Sequence, residues 1–264
     1  MNGAETVLAL VLLEWTAGWV GVAAWTQSWK VVRRGHFRIT GYIVVALGVA
    51  TVFATRGAGF GSSPEADLQR TLVYVLAGLC VTYLVAQFFE SDVVGTVVGG
   101  VAATAGMLAL LATGHLVPDW SAPLAGVELI AGAALLGSVT NGMMLGHWYL
   151  NQPGLKPGAL AKLTQLALVA AGATGILGLV AVGRLSDATT EGAVLGLPGF
   201  GESFGLIFYG VWVTLLAFTG LAVWGARRCI NIRSIQSATG LYYVALLTAG
   251  VSEFLVRYLM VNAT

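Results

Sequence analysis

From Thr6 to Trp25 the chain reads TVLALVLLEWTAGWVGVAAW, with a single charged residue, Glu14. A helix rises 1.5 Å per residue, so about 20 mainly apolar residues cross roughly 30 Å of hydrocarbon. This stretch has that length and that composition, and it reads as a membrane-spanning helix. It does not read as a cleaved leader. The preceding Met1-Asn2-Gly3-Ala4-Glu5 carries no basic residue, and the apolar run is longer than a leader needs.

The same ruler, moved outward, finds eight spans, at about 5–28, 39–56, 70–89, 94–115, 123–148, 159–183, 204–226 and 237–261. Polar breaks separate them: Lys30 to Arg38, Gly57 to Asp67 with Pro64, the turn Glu90-Ser91-Asp92, Pro118-Asp119, Asn151-Gln152-Pro153-Gly154, the long segment Arg184 to Glu202, and Arg227-Arg228. All six prolines fall in loops or at helix ends. The fold class is therefore all-α: a polytopic integral membrane protein with eight transmembrane helices in one membrane domain, residues 1–264. Composition agrees. Only 9% of the 264 residues are charged, 57% are hydrophobic, and the mean hydropathy is +0.84. A soluble domain carries roughly a quarter charged residues. Thirteen basic against 12 acidic residues leave no footprint for nucleic acid, and two cysteines cannot make a disulfide framework or a thiolate metal site.

Glycine and tryptophan fit the bilayer too. Small residues let membrane helices approach closely, so the run from Gly95 to Gly106 reads as a packing face. The eight tryptophans, among them Trp25, Trp29, Trp120, Trp148 and Trp224, lie mostly towards span ends, where indoles anchor at headgroup level. Nine Lys and Arg fall in the loops after spans one, five and seven, and four (Arg56, Arg70, Arg184, Arg257) fall on the other side. The positive-inside bias then predicts a multi-pass protein of the cell membrane, with the loops after helices 1, 3, 5 and 7 in the cytoplasm and both termini outside. Lys30, Arg33, Arg34 and Arg38 would suit anionic lipid headgroups as well as setting orientation.

Two segments share the pattern E-x-x-A-G, Glu14 to Gly18 in span one and Glu128 to Gly132 in span five. Thr104-Ala105-Gly106 in span four is matched by Thr248-Ala249-Gly250 in span eight. The offsets grow along the chain, as they would if loops had lengthened. A tandem repeat, 1–118 and 119–264, is expected from these matches, and four helices per unit make it a parallel one.

Ionisable groups at membrane depth are costly and mark candidate sites. Four qualify. Glu14 and Glu128 are read as proton-relay groups, since a carboxyl in low dielectric favours its protonated form. Glu253 and Arg257, four residues apart on span eight, are read as a structural ion pair. Asn141, mid-span in helix five, reads as a polar contact between helices. The densest polar and aromatic cluster runs from Gly146 to Pro153. Its His147, Trp148, Tyr149 and Asn151 would line a pocket for a polar headgroup or a quinone ring, His147 donating to a carbonyl. An ordinary aromatic belt with a capping histidine is the alternative. His36, placed in a basic loop, and His115, at the outer edge, do not give haem two ligands facing at one depth. Zinc lacks third and fourth ligands. No catalytic motif with strict spacing is present.

The helix count, the topology, the expected four-plus-four repeat and the small-residue run Ala17-Gly18-Trp19-Val20-Gly21 resemble the eight-helix anchor subunits of polysulfide and dimethyl-sulfoxide reductases. That resemblance implies two four-helix bundles, outside termini and a quinone site, although span one here holds no histidine. The function expected is a membrane subunit of a respiratory or redox complex. It would anchor partner subunits in the lipid bilayer and exchange electrons or protons with quinone, with no catalytic residue of its own. The alternative is a small proton- or cation-coupled transporter or channel.

Overall fold

The computed structural model describes residues 3–89, 91–117, 120–149, 151–152, 154–187 and 203–262. Glu90, Pro118, Asp119, Leu150, Pro153 and residues 188–202 of the long segment lie outside them. Eight helices follow in order: α1 (Ala4–Ser28), α2 (Arg34–Gly57), α3 (Pro64–Ala86), α4 (Asp92–Gly114), α5 (Ala122–Trp148), α6 (Gly158–Asp187), α7 (Ser203–Asn231) and α8 (Ile235–Asn262). Each is long and apolar enough to cross a membrane, and no strand occurs among the described residues. The surface is inverted relative to a soluble globule. Val97, Val101, Val169, Ile176, Leu221 and Leu247 point outward, while Thr16, Thr26, Gln27, Gln69, Glu14 and Glu128 are buried. Water would penalise such an exterior, and lipid does not.

Several helices begin or end beyond the apolar stretch that betrays them. Arg34 opens α2, five residues before the expected start, so His36 is a buried helical residue and not part of a basic loop. That corrects the reading of His36. Charged residues end the hydrocarbon-matched segment without ending the helix, whose backbone bonds continue into the headgroup layer. In the same way α7 runs past Arg227-Arg228 to Asn231. At α3 the helix starts at Pro64. The Ser63 hydroxyl accepts from the Ala66 N–H at 3.2 Å, and Glu65 and Asp67 sit in the first turn, where the helix dipole favours acids.

The two central helices are α1 and α5; 78% of the apolar stretch of α1 and 67% of that of α5 are buried, against 28% for α3 and α7. Glycine lets them touch backbone to backbone. A Cβ on Gly18 would stand 1.8 Å from the Ala133 carbonyl oxygen, and one on Gly137 would stand 2.3 Å from the Gly18 carbonyl. The α4 glycines divide as a packing face should. Gly95, Gly99 and Gly106 lie against Gln27, Ala24 and Ala17 of α1, whereas Gly100 meets nothing. In each half the first helix packs on the second and fourth, the second on the third, and the third on the fourth. The halves meet chiefly through α1 with α5 and α4 with α5, with α1 also touching α8.

Candidate functional site: a buried arginine among three glutamates

The central helices and α8 converge on one charge cluster. Arg257 donates from Nε to Glu14 Oε1 at 2.7 Å and from Nη2 to Glu253 Oε2 at 2.9 Å. Its Nη1 lies 3.3 Å from Glu128 Oε1, and Nη2 also donates to the Glu128 backbone carbonyl at 3.1 Å. None of the four side chains has any exposure. Helix α1 places Glu14 ten residues in, or about 15 Å along its axis, so the cluster sits at membrane depth on the side nearer the termini. The i, i+4 pair on α8 forms as the spacing predicts, but it is half of a larger structure: Glu14 and Glu128 share the same guanidinium.

Glycine makes room for this. A Cβ on Gly132 would stand 2.5 Å from Glu253 Oε2, 2.7 Å from Arg257 Nη2 and 2.9 Å from Glu14 Oε1. The second E-x-x-A-G segment thus supplies a carboxylate from Glu128 and, one turn on, the space in which three other charged groups meet. The first supplies Glu14 and the close crossing at Gly18.

Hydrogen bonding is unequal around the ring of acids. Glu14 and Glu253 each give one oxygen to Arg257, and Glu14 Oε2 and Glu253 Oε1 have no hydrogen-bond partner among the described residues. Among the described residues neither oxygen of Glu128 has a closer partner than Arg257 Nη1 at 3.3 Å, a longer contact than Glu14 and Glu253 make. Among the described residues no set of His, Cys, Asp and Glu is arranged to hold a metal ion, these glutamates included.

The aromatic cluster at the end of α5 is distributed differently. Consecutive residues on a helix point about 100° apart, so His147, Trp148 and Tyr149 do not share a face. His147 is exposed, with the Tyr243 hydroxyl 3.4 Å from its Nδ1. Trp148 turns inward over Gly35, its ring edge-on to His36 at 5.9 Å between centroids. Tyr149 donates to the Lys156 carbonyl at 2.7 Å, and burial pushes its phenol up to about 12. Asn151 is exposed. His115, which caps the C-terminus of α4, is exposed as well.

Sequence reasoning passed over the residue that organises this end. Gln152 Oε1 accepts from the Arg33 N–H at 2.9 Å and from Trp148 Nε1 at 3.0 Å, while its Nε2 donates to the Val31 carbonyl at 3.0 Å. One amide therefore fastens the α1–α2 loop to the end of α5. Deeper in, Asn141 Nδ2 donates to Thr26 Oγ1 at 2.8 Å, and Asn141 Oδ1 lies 3.4 Å from His36 Nε2, a polar seam joining α1, α2 and α5. Its signal in the sequence was Asn141 itself, a residue that hydrocarbon does not tolerate without partners. Compared with protein-family models, with curated proteins and with solved structures, the chain finds no match.

Proposed function

We propose that the Glu14–Glu128–Glu253–Arg257 cluster loads and releases protons, and that this chain is the proton-handling membrane subunit of a redox complex. The observation that carries the reading is charge. Three carboxylates surround one guanidinium with no exposure, so full ionisation would leave two negative charges uncompensated in low dielectric. Such an excess costs several kcal/mol per ion. Protons on the glutamates remove it. Glu128 is the acid placed to exchange them, because among the described residues its carboxylate makes the longest contact with Arg257 and has no closer partner to lose. Glu14 and Glu253 then hold Arg257 in position.

Continuous helices and mostly short connections suit a scaffold that leaves electron chemistry to a partner. The polar seam of His36, Asn141 and Thr26, close to Trp148, supports a quinone-facing role for the basic end of the bundle, with that end in the cytoplasm and the termini outside. The matching helix pairings of the two halves support a duplicated four-helix unit. A proton- or cation-coupled transporter is the second reading, favoured by the unpartnered oxygens Glu14 Oε2 and Glu253 Oε1.

Infrared difference spectroscopy over a pH titration tests the proton site. A protonated-carboxyl C=O band should rise and fall in the wild-type protein and be lost or shifted in Glu128→Gln. Absence of that band at every pH where the protein stays folded would overturn the proposal. Native pull-down followed by a quinol-oxidation assay separates the two functional readings. A redox partner with quinol-dependent electron transfer supports the first. Proton-coupled uptake by the chain alone in liposomes supports the second.

A further inference from the structure

The end of the bundle that carries the α1–α2, α5–α6 and α7–α8 connections has a second feature, remote from the charge cluster. A cavity of about 580 Å³ opens between the end of α1 and the start of α6, lined by Trp29, Val31, Gln152, Leu155, Lys156 and Lys162 together with the first turn of α6. Its chemistry is divided. Trp29, Val31 and Leu155 give it an apolar wall, and two ammonium groups stand at its rim. Lys162 is held over the Trp29 ring, its Nζ 4.9 Å from the centroid, so its charge has a fixed place. Gly158 and Ala159, at the start of α6, also line it, and the N–H groups of a first helical turn have no acceptor within the helix. Gln152, the polar side chain in the wall, is committed to Arg33, Val31 and Trp148 and so fixes the shape of the site without competing for a ligand.

The charge around the cavity is not neutralised by any described acidic residue. Lys156 and Lys162 form no ion pair among the described residues, nor do the nearby Lys30 and Arg33. The one described carboxylate at this end, Asp92, is taken by Arg34 at 3.2 Å. Arg34 and Arg38 are further engaged by the backbone carbonyls of Phe89 and Gln87. The four basic residues of the α1–α2 region thus divide into two that tie helices together and two, Lys30 and Arg33, left to add to the field near the cavity.

We infer that this cavity binds the phosphate group of an anionic phospholipid, with Lys156, Lys162 and the first turn of α6 on the phosphate and the Trp29–Val31–Leu155 wall against the start of the acyl chains. A lipid is the occupant these features select. The cavity joins an apolar wall to a cationic rim at the end of membrane-spanning helices, which is where a headgroup and its chains lie. Free phosphate would use the rim and leave the apolar wall without a purpose.

The test is native mass spectrometry of the full chain extracted from vesicles containing equal amounts of phosphatidylglycerol and phosphatidylcholine with identical chains. The wild-type protein should retain phosphatidylglycerol preferentially. The double variant Lys156→Gln/Lys162→Gln should lose that preference, by roughly fivefold per lysine. The variant Arg227→Gln/Arg228→Gln, which removes the same charge from the same end outside the cavity, should keep it. Thermal unfolding of each variant in detergent verifies that it is folded. The inference is overturned if the lysine variant keeps its preference, or if the arginine variant loses as much, which would make the effect a diffuse field. It is overturned equally if inorganic phosphate stabilises the wild-type protein and displaces the lipid, which would make the site one for free phosphate.

Discussion

Arg257 reaches three acids from three different positions on its guanidinium, and each of those acids has no other cation among the described residues. Arg257→Gln therefore strands three carboxylates at membrane depth. Removing one partner of a buried ion pair costs about 3–5 kcal/mol, and the thermal midpoint of the detergent-solubilised protein should fall accordingly. Glu128→Gln should cost much less, since it reduces the net negative charge and breaks no carboxylate hydrogen bond. If the two variants unfold at the same temperature, Arg257 is not what holds the acids. All four members of the cluster were legible in the sequence, because they are the ionisable residues that fall inside apolar spans. Their convergence was not legible. It depends on how α1, α5 and α8 are rotated about their axes, and a chain that is apolar on every face leaves rotation unmarked. The space for the cluster was equally hidden, since Gly132 looks like any other of the 36 glycines until its neighbours are known.

Between elements, glycine and amide side chains do work that apolar burial cannot do inside lipid. Gly18→Ala should force α1 away from α5, because the new methyl would lie 1.8 Å from a backbone oxygen that cannot swing aside. Overpacking of this kind costs about 1–3 kcal/mol or more. Gly100→Ala, which meets nothing, should leave the thermal midpoint unchanged or slightly raised. Equal losses in both variants would mean that helix propensity, and not the crossing, sets the effect. Gln152→Ala acts at another joint. It leaves the Arg33 N–H, the Val31 carbonyl and Trp148 Nε1 without their partner and should cost about 1–3 kcal/mol. Hydrogen exchange should show the loss locally, as faster exchange at Arg33 and at the end of α5. The sequence presented Gln152 as part of a helix-ending turn, and that reading concealed its role, since a turn residue is ordinarily solvated. His36 was concealed for a related reason: it is flanked by arginines that mark the edge of the apolar stretch, yet the helix had already begun at Arg34.

For the molecule as a whole, length and hydropathy carry nearly everything about architecture, because the bilayer admits so few alternatives. Eight apolar segments of helical length must be eight helices, each backbone satisfied within itself. Sidedness is another matter, since it comes from how the chain is inserted and not from how it packs. The bundle has a basic end, where Asp92 is the sole described carboxylate, and an opposite end bearing Glu65 and Asp67 at the start of α3. The positive-inside bias predicts that the basic end faces the cytoplasm. Two exposed loop residues can report this, Ser62 before α3 and Asn151 after α5. Cys80 is buried and Cys229 half-buried, so both are first replaced by serine or alanine to remove background. In intact cells a membrane-impermeant maleimide should then label Ser62→Cys and spare Asn151→Cys, which should react only after the membrane is opened. The reverse pattern would invert the protein. It would put the cavity of Lys156 and Lys162 on the outer leaflet and the arginine cluster nearer the cytoplasm, and under the proposed function it would reverse the side from which protons load.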